Sequence, residues 1–139
     1  MDHFKQAEEK LESYRWLKKR LKHYEEERDK AIRRSGPKGI APIDLSNPAV
    51  KSSKMEDDFS AAEQIAYYRQ KILETKDEME AITSVVADLE PEQRKIIELW
   101  YFKKKSIEQI KSALFLSGTS AVYKRRNAAI RAFASIFPW

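Results

Sequence analysis

One apolar stripe constrains this chain more than any other feature of its sequence. Between residues 61 and 89, apolar or small side chains recur at alternating steps of four and three, which is the spacing of one face of a long α-helix. The stripe consists of Ala61, Ile65, Tyr68, Ile72, Thr75, Met79, Ile82, Val86 and Leu89. It predicts a helix over residues 56–89. Glu56, Asp57 and Asp58 would begin this helix, because acidic side chains are favourable at the positive end of the helix dipole.

A second long amphipathic helix is predicted over residues 4–32, within an N-terminal segment 1–34. Its apolar residues again recur at steps of three and four: Phe4, Ala7, Leu11, Tyr14, Leu17, Leu21 and Tyr24. Residues 35–55 hold two of the three glycines and three of the five prolines, so we interpret them as a loop or linker. A helix this long needs a partner surface, which either its own chain or a second copy supplies.

Composition narrows the fold class and the setting. With only 3 Gly and 5 Pro, the chain lacks the frequent turns of a β-sandwich or barrel, so we expect an all-α fold. The absence of cysteine excludes disulfides and thiolate chemistry, and it fits a cytoplasmic location. No apolar run approaches the roughly 20 residues that span a bilayer, so we expect no membrane partner.

Residues 90–139 predict a compact C-terminal module of three further helices. Pro91 suits a first helical position and begins a helix that extends to Phe102. Ser106 and Gln109 form a capping-box pattern that begins a fourth helix, over 107–114. The turn 117–120 leads into a fifth helix over 120–136, which ends before Pro138. A short capped helix, a tight turn and a longer helix are typical of a helix-turn-helix.

The charge of this module favours an anionic partner. Residues 103–139 contain 8 Lys and Arg against 1 Asp and Glu, whereas residues 35–102 contain 8 against 13. Val122, Ala129, Ile130 and Phe133 fall on one side of the fifth helix, and the opposite side has cations and small polar groups but no acid. We therefore predict that the fifth helix, over about 119–135, enters the major groove of duplex DNA. The candidate DNA-binding residues are Ser106, Gln109, Thr119, Ser120, Tyr123, Lys124, Arg125, Asn127 and Arg131.

The stretch LEPEQRKIIELWYFKKKSIEQIKSALFLSGTSAVYKRRNAAIRAF, residues 89–133, resembles region four of sigma factors. It is more similar to phage regulators of the ArpU and RinA type, and the resemblance extends over residues 54–136. It implies a prophage-encoded transcriptional regulator of late genes, such as packaging or lysis genes, that contacts RNA polymerase. The sequence departs from the pattern at Lys111, where a small residue is usual, and at Phe115, where glycine is frequent.

Other functions remain as alternatives. The heptad stripe also suits a helical interaction protein that associates through its long helices and binds no DNA, or a DNA-binding homo-oligomer. An enzyme is not expected, because His3 and His23 have no metal or triad spacing and no glycine-rich phosphate loop occurs. We likewise expect no cofactor and no metal. The terminal residues Phe133, Phe137, Pro138 and Trp139 either mark a partner site or, as we expect, pack against Trp100 and Tyr101.

Overall fold

A computed structural model describes residues 3–40 and 48–139, with side chains at 3–35 and 60–139. The described residues form five α-helices and no strand, which confirms the all-α prediction. The helices are α1 (Phe4–Ile40), α2 (Pro48–Ala87), α3 (Pro91–Ile97), α4 (Ile107–Ala113) and α5 (Thr119–Ile136). A π-helical segment, Glu98–Phe102, continues α3 directly. None of the described helices combines the length and the apolar character needed to cross a bilayer.

The predicted linker over residues 35–55 is largely wrong. The structure extends α1 to Ile40 and begins α2 at Pro48, so only residues 41–47 of the predicted linker lie outside the described residues. Pro48 is the first residue of α2, where a missing N–H costs nothing. Pro37 lies inside α1, although proline in a helix interior removes a hydrogen bond and crowds the carbonyl four residues earlier. The acidic residues 56–58 consequently lie within α2 and do not begin it.

The chain divides into two compact units. One, here called the core unit, comprises the described residues up to Lys18 together with Asp77–Trp139. The other, here called the helical-pair unit, comprises Lys19–Lys76. The predicted C-terminal module of residues 90–139 is therefore smaller than the unit that contains it. The first turns of α1 and the end of α2 supply the remainder.

In the helical-pair unit, α1 and α2 run antiparallel. The rings of Tyr24 and Tyr68 have centroids 6.3 Å apart, and Arg34 Nη2 donates a hydrogen bond of 2.7 Å to Gln64 Oε1, so residue numbers rise on one helix as they fall on the other. Small or apolar side chains are buried here: Ala31, Ala61, Ile72 and Thr75. Thr75 satisfies its buried hydroxyl by donating to Lys71 O at 2.7 Å.

The core unit has one continuous apolar interior. Its fully buried side chains come from all five helices: Leu11 from α1, Ile82 from α2, Ile96 and Ile97 from α3, Ile110 from α4, and Val122, Ile130 and Phe133 from α5. Both α3 and α4 pack against α5, which is the central helix of the unit. The lower half of the predicted heptad stripe contributes Ile82, Val86 and Leu89 to the same interior.

The π-helical segment places three consecutive aromatic residues in different surroundings. Lys103 N–H donates to Glu98 O at 2.8 Å, five residues back, so this turn contains one more residue than an α-helical turn. Trp100 contacts Tyr123 of α5, with ring centroids 5.4 Å apart. Phe102 contacts Tyr14 of α1 at 4.2 Å. Tyr101 lies between these two rings in sequence and is only 4 % exposed.

We predict that Tyr101→Phe stabilises the protein. The Tyr101 hydroxyl is buried without a hydrogen-bond partner, so its removal relieves a desolvation cost of about 1 kcal/mol. Burial also raises the pKa of this phenol; the positive charge of Arg126 acts in the opposite direction, and Glu8 and Glu12 add to the rise. The unfolded phenol ionises at a pH of about 10 while the folded one stays neutral, so the stability that Tyr101 gives falls as pH rises above that value.

Urea unfolding at pH 7 and at pH 10.5 measures both effects. Tyr101→Phe should have the higher midpoint at both pH values, and its advantage should grow at the higher one. Tyr67→Phe is the control, because Tyr67 is exposed and its substitution should leave both midpoints unchanged. A lower midpoint for Tyr101→Phe at pH 7 would show that the hydroxyl is satisfied.

Candidate nucleic-acid interface

The start of α4 uses two of the predicted binding residues as a cap. Ser106 Oγ accepts the Gln109 N–H at 3.1 Å, and Gln109 Oε1 accepts the Ser106 N–H at 2.9 Å. This reciprocal pair is the capping box that the sequence predicts. The capping box engages the Ser106 hydroxyl and the Gln109 side-chain oxygen, so the main role of these two residues is to position the start of α4.

The end of α4 has an unusual residue in a standard turn. Leu116 N–H donates to Lys111 O at 2.9 Å and Phe115 N–H donates to Ser112 O at 3.3 Å, which are the two hydrogen bonds of a Schellman motif. Phe115 occupies its left-handed position, with φ of 56°, where glycine is the common residue. Lys95 Nζ donates to the adjacent Ala113 O at 3.2 Å and so satisfies another carbonyl of this helix end.

The turn after α4 ends at Gly118, which is the N-cap of α5. Its backbone is extended, with φ of −164° and ψ of 168°, and no side chain caps the helix. A Cβ placed on Gly118 would have no atom within 4 Å. Thr119 and Ser120, both exposed, form the first turn of α5 immediately afterwards. Small polar groups and free backbone N–H groups are thus concentrated at this helix end.

The orientation of α5 agrees with the sequence prediction. Its apolar side is fully buried and consists of Val122, Ala129, Ile130 and Phe133. Ser120, Lys124 and Arg131 are exposed on the opposite side. Among the described residues, no hydrogen bond or ion pair engages the Lys124 ammonium. The α5 sequence contains four cations and no acid, so its outward side has a positive electrostatic potential.

One of the predicted DNA-binding cations is held by an acid from another helix. Arg125 Nη1 lies 2.6 Å from Glu92 Oε1 in the first turn of α3, and both side chains are about half exposed. An exposed pair of this kind contributes little to stability, about 0.2–1 kcal/mol. It nevertheless places a carboxylate next to the cationic side of α5. The partners are 33 residues apart in the chain, which explains why sequence reasoning missed Glu92.

Arg126 connects α5 to the π-helical segment. Its guanidinium carbon lies 4.7 Å from the centre of the Trp100 ring and 5.6 Å from that of Tyr123. Its Nε and Nη2 donate to Asn127 Oδ1 at 3.2 and 2.9 Å. Arg126 is partly buried. Asn127, a candidate DNA-binding residue, is half-buried, and its side-chain carbonyl oxygen accepts from Arg126.

The last residues of the chain pack against the start of α1. The Phe137 ring stacks on Phe133 at 5.3 Å and contacts Trp139 at 4.7 Å, and Trp139 in turn stacks on His3 at 4.8 Å. The expectation that these residues pack against Trp100 and Tyr101 holds in part: Phe133, Phe137, Trp100 and Tyr101 share one apolar interior, whereas Trp139 is about half exposed. The Trp100 ring also contacts Arg126 and Tyr123.

Some of the predicted binding residues are exposed at the first turns of α5. Others are engaged in hydrogen bonds or an ion pair within the chain. Thr119, Ser120, Tyr123 and Lys124 are exposed along the first two turns. Arg131 is exposed two turns later, and its guanidinium also lies 5.8 Å from the ring centre of Phe4. Ser106, Gln109, Arg125 and Asn127 each have an intramolecular partner. Within the described residues, no cluster of three His, Asp or Glu side chains lies in positions to hold a metal ion.

Comparisons of the chain with protein-family models, with curated proteins and with solved structures found no match.

We predict that Glu92→Gln strengthens binding to duplex DNA. The change removes one negative charge beside α5 and also frees the Arg125 guanidinium, so affinity should rise by about three- to tenfold at low salt. Thermal stability should fall by less than about 1 kcal/mol, since the pair is exposed. Fluorescence anisotropy on a labelled duplex and thermal unfolding measure the two effects.

A double-mutant cycle with Arg125→Ala separates the two causes. In the Arg125→Ala background, Glu92→Gln should give only the smaller gain that comes from the lost charge. An equal gain in both backgrounds would show that Arg125 makes no contact with DNA.

Proposed function

We propose that this chain is a sequence-specific DNA-binding transcriptional regulator, in which α4 and α5 act as a helix-turn-helix and α5 enters the major groove. The observation that carries the proposal is the division of α5 into two sides. Val122, Ala129, Ile130 and Phe133 are fully buried, so the helix has no freedom to turn its cations inward. The remaining side exposes hydroxyl groups and cations over the first turns, where recognition helices contact base edges.

Each exposed group on α5 suits a different part of the duplex. The hydroxyl groups of Thr119 and Ser120 lie at the start of α5, where they hydrogen-bond to base edges as donors or acceptors. Lys124 and Arg131 contact backbone phosphates. Phosphate contacts position a protein on the duplex without reading its sequence. Arg126 donates to Asn127 Oδ1, and this hydrogen bond fixes both side chains on the surface of α5. Tyr123 is partly fixed by Trp100 and adds a hydroxyl at the edge of this surface.

The resemblance to region four of sigma factors and to ArpU- and RinA-type regulators sets the wider proposal. It supports a prophage regulator of late genes that acts in the cytoplasm, with RNA polymerase as a protein partner. The helix order over residues 89–133, with a capped short helix before a basic one, is compatible with that family pattern.

The alternative is a helical interaction protein without DNA binding. Its main support is the heptad stripe of α2. In the helical-pair unit the stripe residues Ala61, Ile72 and Thr75 are already buried, and Tyr68 contacts Tyr24 of α1. Much of the stripe therefore packs within one chain, which favours the DNA-binding proposal over a purely associative role. The long helices also expose apolar side chains such as Leu73. The DNA-binding proposal therefore includes association between copies of the chain through these helices.

Selection of bound fragments from a random duplex pool tests the proposal directly. The wild-type chain should enrich a defined sequence, and its affinity for that sequence should fall steeply with salt. Failure to retain any duplex at low salt would overturn the proposal. Sizing of the complex by light scattering gives the number of chains on the DNA.

We predict that Lys124→Ala makes the dependence of binding on salt shallower. Loss of one phosphate contact lowers the slope of log affinity against log salt concentration by about 0.9. Lys76→Ala on α2 is the matched control, because it removes the same charge from another exposed helical position. Slopes from anisotropy titrations between low and moderate salt measure the effect. Equal slopes for the two variants would show that Lys124 does not contact a phosphate.

We further predict that Gly118→Asp and Gly118→Asn stabilise the fold equally but that only Gly118→Asp weakens DNA binding. Both side chains cap α5 in the extended conformation of Gly118, and nothing obstructs them, so each should raise the free energy of unfolding by about 0.5 kcal/mol. Asp also places a negative charge where α5 would meet DNA, so it should weaken duplex binding about tenfold, while Asn should leave affinity within about twofold.

Urea unfolding and anisotropy titrations of the two variants give the comparison. Because Asp and Asn have nearly the same shape, any difference in affinity reports charge alone. Similar affinities for both variants would place the start of α5 away from the DNA.

A further inference from the structure

Phe115 is the most exposed large apolar side chain among the described residues, with 93 % of its surface accessible. Its two neighbours behave differently, because Leu114 and Leu116 both pack against the core unit's interior. No other aromatic ring of the described chain contacts the Phe115 ring. The residue projects from the turn between α4 and α5, four positions before the first residue of α5.

The conformation of Phe115 is unfavourable for any residue with a Cβ. Its φ of 56° lies in the left-handed region, which glycine enters without steric cost. Glycine would keep both hydrogen bonds of the turn, to Ser112 O from its own N–H and to Lys111 O from Leu116 N–H, since these involve only main-chain atoms. Phe115 therefore adds backbone strain, and its ring is left almost fully exposed by the described residues. Strain of this kind is concentrated at functional positions.

We propose that Phe115 is a specificity-determining residue whose ring packs against the C5-methyl group of a thymine in the major groove; this rests on the proposed function. The turn leads directly into Thr119 and Ser120, so a ring at its tip lies beside the helix end that meets the base edges. The thymine methyl is the one apolar group that the major groove presents, and phenylalanine is among the side chains that contact it.

The surroundings of Phe115 favour DNA over an apolar protein surface. An apolar protein partner needs further apolar groups around its anchor. Around Phe115 the exposed chain neighbours are small and polar, namely Ser112, Ser117 and Thr119. Residues 103–139 also have a net charge of +7, which attracts a polyanion. A polyanion that carries isolated methyl groups in a polar groove matches both properties, and duplex DNA has this chemistry.

Removal of the thymine methyl groups tests the proposal. A random duplex pool is first selected with the wild-type chain and then amplified with either dTTP or dUTP, so that the two products differ only in these methyl groups. The wild-type chain should bind the uracil pool about fourfold more weakly, which is the factor expected from one buried methyl group. Phe115→Ala and Phe115→Gly should bind the thymine pool about fourfold more weakly than wild type and should not distinguish the two pools.

The two variants also separate contact from conformation. Phe115→Ala keeps the left-handed strain, whereas Phe115→Gly relieves it, so only Phe115→Gly should melt at a clearly higher temperature than wild type. A variant that folds more stably and yet binds more weakly cannot owe its loss of affinity to unfolding. Ile136→Ala is the control: it removes an exposed apolar side chain from the last turn of α5, far along the chain from the turn that holds Phe115, and should keep the wild-type preference for thymine.

Three outcomes would overturn the proposal. If the wild-type chain retains no duplex at all, the proposed function fails and the role of Phe115 fails with it. If the wild-type chain selects a sequence but binds the thymine and uracil pools equally, only the role of Phe115 fails. If Phe115→Gly binds both pools as wild type does but loses self-association in sedimentation, the ring contacts a second protein chain.

Discussion

Burial of one side of α5 is the interaction on which the rest of the core unit depends. Val122, Ala129, Ile130 and Phe133 are completely removed from solvent, and both α3 and α4 pack against the helix that carries them. Because the apolar side can face only inward, the opposite side must expose its hydroxyl groups and cations. Packing thus determines the electrostatic surface: the same four residues that hold the unit together also decide which charges are exposed.

Much of this arrangement is predictable from the sequence because it is local. The capping box of Ser106 and Gln109 spans four residues, and the two sides of α5 follow from helical periodicity. The contacts of Arg125 with Glu92 and of Arg126 with Trp100 join residues far apart in the chain, and no local pattern indicates them. The error over residues 35–55 has another cause: glycine and proline disfavour a helix interior by about 1 and 3 kcal/mol, yet α1 continues through Pro37 and α2 begins at Pro48.

The core unit also explains why the predicted boundary at residue 90 misses part of the module. Residues 90–139 alone leave the Phe102 ring without its partner, Tyr14 of α1. Leu11 and Tyr14 of α1 and Ile82 and Val86 of α2 supply the missing surface. A short helical module gains a sufficient interior only by recruiting helices that are distant in sequence. The three helices of the C-terminal segment are therefore one part of a five-helix core.

The wide turn at Glu98–Phe102 makes the spacing of this region intolerant to insertion and deletion. Because the turn contains one extra residue, Trp100 contacts Tyr123 of α5 while Phe102 contacts Tyr14 of α1. Loss of a single residue there would restore regular winding and rotate the helix before the turn by about 100° relative to the chain after it. Trp100 and Phe102 would then lose one partner or the other. Evolution of this segment can therefore exchange one side chain for another of similar volume, but its length is fixed by the two helices that it must touch.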